Sequence, residues 1–169
     1  IRDMKRMIER ELHGKGMDAN IKLGQGGIRE VEFIGQAFQL VRGGREPDLQ
    51  IRPIQPVIGL LAEKEILPDF AANGLVAAYR FLRLTENRIQ AWKDKQTHLL
   101  PEDPVGRLRI ARAMGFSDWT SFIATLDEHR RRVQGHFDRV FADPQADEAH
   151  QEQDFAAIWR GGVQGAQAR

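Results

Sequence analysis

Trp119, Phe122, Ile123, Leu126, Val133, Phe137 and Val140 recur at the spacing of one helix face, and no long stretch alternates apolar and polar residues as a half-buried strand would. The same period returns along most of the chain. Ile1, Met4, Ile8 and Leu12 repeat it, with Gly14 and Gly16 as stop signals. Ile28, Val31, Ile34, Phe38 and Val41 form another stripe, closed by Gly43 and Gly44. A third helix is expected from about Pro53 to Lys64, carrying Val57, Leu60 and Leu61, and a long fourth from about Pro68 to Lys93. Asp103 can cap a fifth, with Pro104 in its first turn and Gly115 behind it. Ser117 can cap the sixth, and Pro144 ends it. A short extended piece at Asn20 to Leu23 is the one exception. The pattern implies an all-α, antiparallel helical bundle of about six helices over residues 1–142. Residues 143–169 are acidic and then rich in Gly, Ala and Gln, with one apolar cluster at Phe155, Ile158 and Trp159. They read as a linker and the start of a further segment.

Composition narrows the function. A chain of 169 residues can bury one real core. Its net charge of +1 supplies no bulk positive field to collect nucleic acid or coat a membrane. Without cysteine there are no disulfides and no thiolate metal sites, which suits a reducing cytoplasm. No apolar run approaches the roughly 20 residues of a membrane span. The chain opens at Ile1 inside a helical pattern, so it is expected to be a piece of a longer protein.

Two carboxylates stand where apolar residues belong. On the helix after Gly27, Arg29, Glu32, Gln36 and Gln39 share a polar stripe, but Glu30 falls in the arc of Val31, Ile34, Ala37 and Val41. Either Glu30 caps free amides in the first turn, or it is buried and needs a partner. Glu86 lies in the middle of the stripe made by Ala72, Leu75, Val76, Tyr79, Leu82 and Ile89, too far from either helix end to cap. It requires a cation or donors, and Arg29 and Lys22 are natural candidates. Arg80, Arg83 and Asn87 line the adjacent side.

The stretch NIKLGQGGIREVEF, Asn20 to Phe33, places Gly24, Gly26 and Gly27 before a helix. Such a turn is either a plain loop and cap or an anion site. In the second case backbone amides, the helix dipole, Lys22 and Arg29 would receive a phosphate. It is not a Walker loop, because the Gly-Lys-Ser/Thr ending is missing. EHRRRVQGH, Glu128 to His136, is basic but its charges spread around a helix, which reads as a solvated face. The five histidines have no metal-binding spacing, and no nucleophile motif or Mg²⁺-binding acidic pair is present.

NIKLGQGGIREVEFIGQAFQLVRGGREPDLQ, AAYRFLRLTENRIQ and the run from QTHLLPEDP to RLRIARAMGF closely resemble the glutamine synthetase adenylyltransferases, over about Asn20 to Phe141. These bifunctional bacterial enzymes add AMP to glutamine synthetase and remove it, in control of nitrogen assimilation. The resemblance implies a helical domain of the type shared with PII uridylyltransferases. GGIREVEF looks like the form of the N-terminal, deadenylylating half. The catalytic nucleotidyltransferase domain, with its Mg²⁺, would precede Ile1, and this fragment alone would be inactive. Inorganic phosphate would attack the AMP–tyrosine linkage and release ADP, while the intact enzyme would also transfer AMP from ATP. The expected substrate-binding or phosphate-binding residues are Lys22, Gly24, Gly26, Gly27 and Arg29. Glu30, Glu32, Arg80, Arg83 and Glu86 would support them, with no catalytic residue in this stretch. Expected partners are glutamine synthetase and the PII signal protein. A second expectation is a non-catalytic module that binds either of those proteins.

Overall fold

Apolar helix stripes must cover one another, and in the computed structural model, which describes residues 17–141, five α-helices do so. They are α1 (Ile28–Arg42), α2 (Ile54–Glu63), α3 (Asp69–Lys93), α4 (Pro104–Ala113) and α5 (Trp119–Val140). Single 3-10 turns occur at Met17–Ala19 and Pro47–Leu49. The helix expected at Ile1 to Leu12 and the linker with Phe155, Ile158 and Trp159 lie outside the described residues. Among the described residues no helix is long and apolar enough to cross a membrane.

The spine is α3, whose 25 residues extend about 38 Å. Its first half sets Ala71, Leu75 and Ala78 against Val31, Ile34 and Phe38 of α1, Val57, Ile58 and Leu61 of α2, and Val133 and Phe137 of α5. Its second half sets Leu82 and Ile89 against Ile21, Ile28, Ile110, Phe122 and Leu126. Early α3 thus meets late α5, and late α3 meets early α5, so the two long helices run antiparallel. Tyr79 is half-buried and packs against both clusters. Each large apolar side chain buried this way contributes about 1.5–3 kcal/mol.

Several local expectations need correction. Val41 is 44% exposed, because the core along α1 ends at Phe38 and Val41 lies in the helix's last turn. The extended piece at Asn20 to Leu23 is only one isolated bridge, Asn20 to Leu99. The Asn20 side chain bends the chain out of it by accepting from the Lys22 and Leu23 amides at 3.0 and 2.9 Å. Helix α5 is capped by Asp118, whose Oδ1 accepts the Ser121 amide at 2.8 Å. Ser117 instead donates its hydroxyl to Asp118 Oδ2 at 2.8 Å. A carboxylate answers the positive helix end better than a hydroxyl. Asp103 caps α4 as expected, accepting the Gly106 amide at 2.7 Å.

Candidate functional site

The glycine turn is folded by its own backbone. The Gly24 amide donates to Asn20 O at 2.8 Å and the Gly27 amide to Gly24 O at 2.9 Å. At the start of α1, Ile28, Arg29 and Glu30 donate to Ile21, Lys22 and Gly27 carbonyls at 3.2, 3.1 and 3.2 Å. These amides are therefore engaged within the turn. Gly24 and Gly26 answer a second demand, the close approach of α5. Gly26 has φ +68°, and a Cβ there would collide with the Arg130 carbonyl. A Cβ on Gly24 would strike the Asn20 carbonyl and the Arg130 guanidinium. The full positive charges at this edge are those of Lys22 and Arg29. The Arg29-to-Lys22 backbone bond brings the two residues together. The Arg29 side chain is 44% exposed, 3.5 Å from Glu32, with its guanidinium 5.5 Å from the Phe33 ring centre.

From Arg29 a polar seam crosses to α3. Glu32 reaches the Tyr79 hydroxyl, and burial together with the Glu32 and Glu86 charges raises the Tyr79 pKa against the opposing pull of Arg83. Glu86 is buried, as its place in the apolar stripe implied. Its partners differ from those expected. Arg83, one turn back on the same helix, lies 2.6 Å from Oε2, and His98 Nδ1 lies 2.7 Å from Oε1. Arg29 pairs with Glu32 instead, and among the described residues the ion pairs of Glu86 are those with Arg83 and His98. The seam thus links Arg29, Glu32, Tyr79, Arg83, Glu86 and His98. Arg80 does not join it, because its Nε donates to Gln55 of α2 at 2.7 Å.

Glu30 faces the other way, toward α5. It is 0% exposed, and neither carboxylate oxygen has a hydrogen-bond partner of normal geometry among the described residues. Its carboxylate makes no capping hydrogen bond of normal geometry, while the Gly26 amide lies within its electrostatic reach. Burial raises its pKa from 4.5 to about 7, the Gly26 amide and Arg130 opposing and Asp138 reinforcing the rise. Arg130 is the cation there. Its two terminal nitrogens donate to Asp18 O at 2.7 Å and Asn20 O at 2.8 Å, fastening α5 to the turn. Burial lowers its pKa, opposed by Asp127, Asp18 and Glu30. Beside it lies a cleft of about 660 Å³, lined by Asp18, Gln25, Asp127, Arg131, Gln134 and Asp138 among others.

The expected residues therefore divide between two faces. Lys22, Arg29, Glu32, Arg83 and Glu86 belong to the turn edge and seam, whereas Gly24, Gly26 and Glu30 pack toward Arg130. Among the described residues no cluster of three metal-ligating side chains occurs.

The family model for GlnD PII-uridylyltransferase matches residues 2–141. The chain belongs to that family. It is 56% identical over 165 residues to a bifunctional glutamine synthetase adenylyltransferase/adenylyl-removing enzyme of Nitrosococcus oceani, covering 96% of this chain and 17% of that protein. The counterpart from Thioalkalivibrio sulfidiphilus is 50% identical over 176 residues, covering 100% of this chain and 18% of that protein. That from Pseudomonas aeruginosa is 48% identical over 149 residues, covering 88% and 15%. The chain thus spans less than a fifth of the curated relatives it matches. The resemblance read from the turn and from AAYRFLRLTENRIQ is borne out.

Tyr79, His98 and Arg130 are polar members of the seam and the turn that the sequence pattern did not single out. Tyr79 sits in an apolar stripe, and His98 lies in a loop whose approach to Glu86 no local pattern encodes. Arg130 lay in the basic run read as a solvated face. It is instead half-buried, its guanidinium bonded to carbonyls more than 100 positions away.

Proposed function

We propose that this chain is the helical part of the N-terminal, deadenylylating half of a bifunctional glutamine synthetase adenylyltransferase. In that role it supports phosphorolytic removal of AMP from adenylylated glutamine synthetase in the cytoplasm. The observation that carries the reading is the pairing of Lys22 and Arg29 on one edge at the start of α1, with Arg29 half exposed and the turn beneath them braced. Phosphate, the AMP phosphoryl group and the transition state between them are all anionic, so fixed cations at this edge favour the reaction. Phosphate oxygen bonds to the AMP phosphorus, the bond to tyrosine oxygen breaks, ADP leaves, and the tyrosine regains its proton. In this reading Mg²⁺, ATP and the nucleotidyl-transfer chemistry belong to a neighbouring catalytic domain, and the isolated chain releases no ADP.

Arg29→Ala tests the reading in the full-length protein. Loss of a transition-state donor costs about 10²–10³ in rate. Deadenylylation should fall by that order, with adenylylation and melting temperature unchanged, and Arg29→Lys should restore only part of the loss because it cannot clamp phosphate bidentately. Unchanged deadenylylation, or a joint fall of both activities with the melting temperature, overturns the reading.

A second reading, a docking module for the PII signal protein or glutamine synthetase, draws on α4. Val105 and Leu108 are exposed there beside the exposed Arg107, Arg109 and Arg112. Leu108→Glu would abolish a docking contact of this kind while sparing phosphorolysis of a small adenylylated-tyrosine substrate.

A further inference from the structure

Arg130 and Glu30 have no place in the polar seam, yet they are the charged residues against which the glycine turn is packed. The Arg130 guanidinium holds two carbonyls of the segment entering the turn, Asp18 O and Asn20 O. Its Nε is buried without a partner among the described residues. Asn20 is the pivot of the turn, since its side chain receives the Lys22 and Leu23 amides and its carbonyl receives the Gly24 amide. The Lys22 carbonyl in turn receives the Arg29 amide. A continuous line of hydrogen bonds therefore runs from Arg130 through Asn20 and Lys22 to Arg29. Glu30, next along the chain, is fully buried, and neither oxygen has a hydrogen-bond partner of normal geometry among the described residues; the Gly26 amide, Asp138 and Arg130 act on it electrostatically.

We propose that Arg130 is a positioning residue for the Lys22–Arg29 edge, and that the buried Glu30 carboxylate, once ionised, competes with the Asp18 and Asn20 carbonyls for the Arg130 guanidinium. This deepens the anion-edge reading and rests on it. With Glu30 neutral, Arg130 has only carbonyl acceptors, and the turn is held. An ionised carboxylate in a dry site is a stronger acceptor than a carbonyl, and it draws the guanidinium off the turn. The groups that set this competition are few. Arg130 and Asp138 of α5 and the Gly26 amide act on Glu30, while Asp127, Asp18 and Glu30 act on Arg130. Asp138, a like charge to Glu30, is itself held by Gln134 Nε2 at 2.9 Å. Burial places the ionisation of Glu30 near neutral pH, so the mount for Lys22 and Arg29 loosens as the medium becomes more alkaline.

The test is amide hydrogen exchange on the 169-residue chain between pH 6 and 8, corrected for intrinsic exchange. The Gly24 and Gly27 amides should lose at least about tenfold more protection than the Leu75 and Leu82 amides of α3. Glu30→Gln should hold the turn protected across the range. Arg130→Lys, which keeps the charge but cannot span both carbonyls, should leave the turn poorly protected at every pH while α3 stays protected. Inorganic phosphate supplies the second arm. At pH 6 it should shift the Lys22 and Arg29 resonances of the wild-type chain, with several-fold weaker affinity in Arg130→Lys despite the unchanged net charge. Turn protection that ignores both pH and Glu30→Gln overturns the role given to Arg130 and Glu30, as does phosphate affinity unaltered by Arg130→Lys. Phosphate that moves neither Lys22 nor Arg29 in any variant overturns the anion edge itself, and with it the purpose assigned to Arg130.

Discussion

Replacing Glu30 with glutamine keeps the volume of a fully buried side chain and removes its capacity to ionise. Burial holds the Glu30 carboxyl at about 7 in the folded protein, against an ordinary value of 4.5. Because the folded value is the higher one, the folded chain binds this proton more tightly than the unfolded chain. The stability contributed is complete below about pH 4.5 and is lost as the pH rises through 7. At about 1.36 kcal/mol per pH unit, the interval amounts to roughly 3 kcal/mol. Glutamine has nothing to lose across that interval. Glu30→Gln should therefore be close to wild type at pH 5 and more stable by about 2–3 kcal/mol at pH 8. Urea unfolding followed by tryptophan fluorescence at pH 5, 6, 7 and 8 measures the difference directly, through Trp92 and Trp119. A gap between the two proteins that stays constant within about 0.5 kcal/mol over this range would refute the reasoning, since it would mean that Glu30 ionises as readily in the fold as in the unfolded chain.

Other expectations follow from particular contacts. Glu86→Ala removes the carboxylate that accepts from Arg83 and that His98 approaches at 2.7 Å, and should cost about 3 kcal/mol, the lower end for a broken buried pair because Arg83 keeps access to water. A loss under about 0.5 kcal/mol in urea unfolding would show that Glu86 is solvated. Burial, then Arg132 for His129 and Arg139 for His136, lowers both imidazole pKa values. Their neutral forms therefore add stability above about pH 6.5 that is lost as the pH falls. Imidazole proton resonances should titrate below the ordinary histidine value, and a value above it would contradict the burial. Gly26→Ala should destabilise by more than about 2 kcal/mol, from strain at positive φ and collision with the Arg130 backbone. Gly44→Ala, which meets nothing within 4 Å, should change the melting temperature little.

How much of this was legible in advance can be seen in three places. The stripe on α5 and its counterpart on α3 announced two long amphipathic helices, because helix periodicity is a local property of side chains along one segment. Asp103 with Pro104 announced a helix start for the same reason, and the observed cap at Asp103 agrees. The burial of Glu86 also followed from the helix wheel, since a residue inside an apolar arc far from a helix end must go where the arc goes, whereas the wheel left Glu30, in a first turn, open between capping and burial.

Partner choice was a different matter. The wheel put Glu86 inside but could not say that His98, twelve residues on and in a loop, would meet it at 2.7 Å. Nor could it show Arg130 crossing to Asp18 and Asn20, because those contacts are made only when α5 is laid against the turn. By itself the sequence determined the helices, their buried faces, the special need for glycine near residues 24–27, and the family. Tertiary structure alone decided that the Gly24 and Gly27 amides are engaged by carbonyls of the turn, that Gly24 and Gly26 make room for α5, and that Glu30 and Glu86 open onto different sides. The physical reason is range. Periodicity and capping act over a few residues, whereas the hydrogen bonds and ion pairs that orient these charges join segments whose separation along the chain reaches 112 residues.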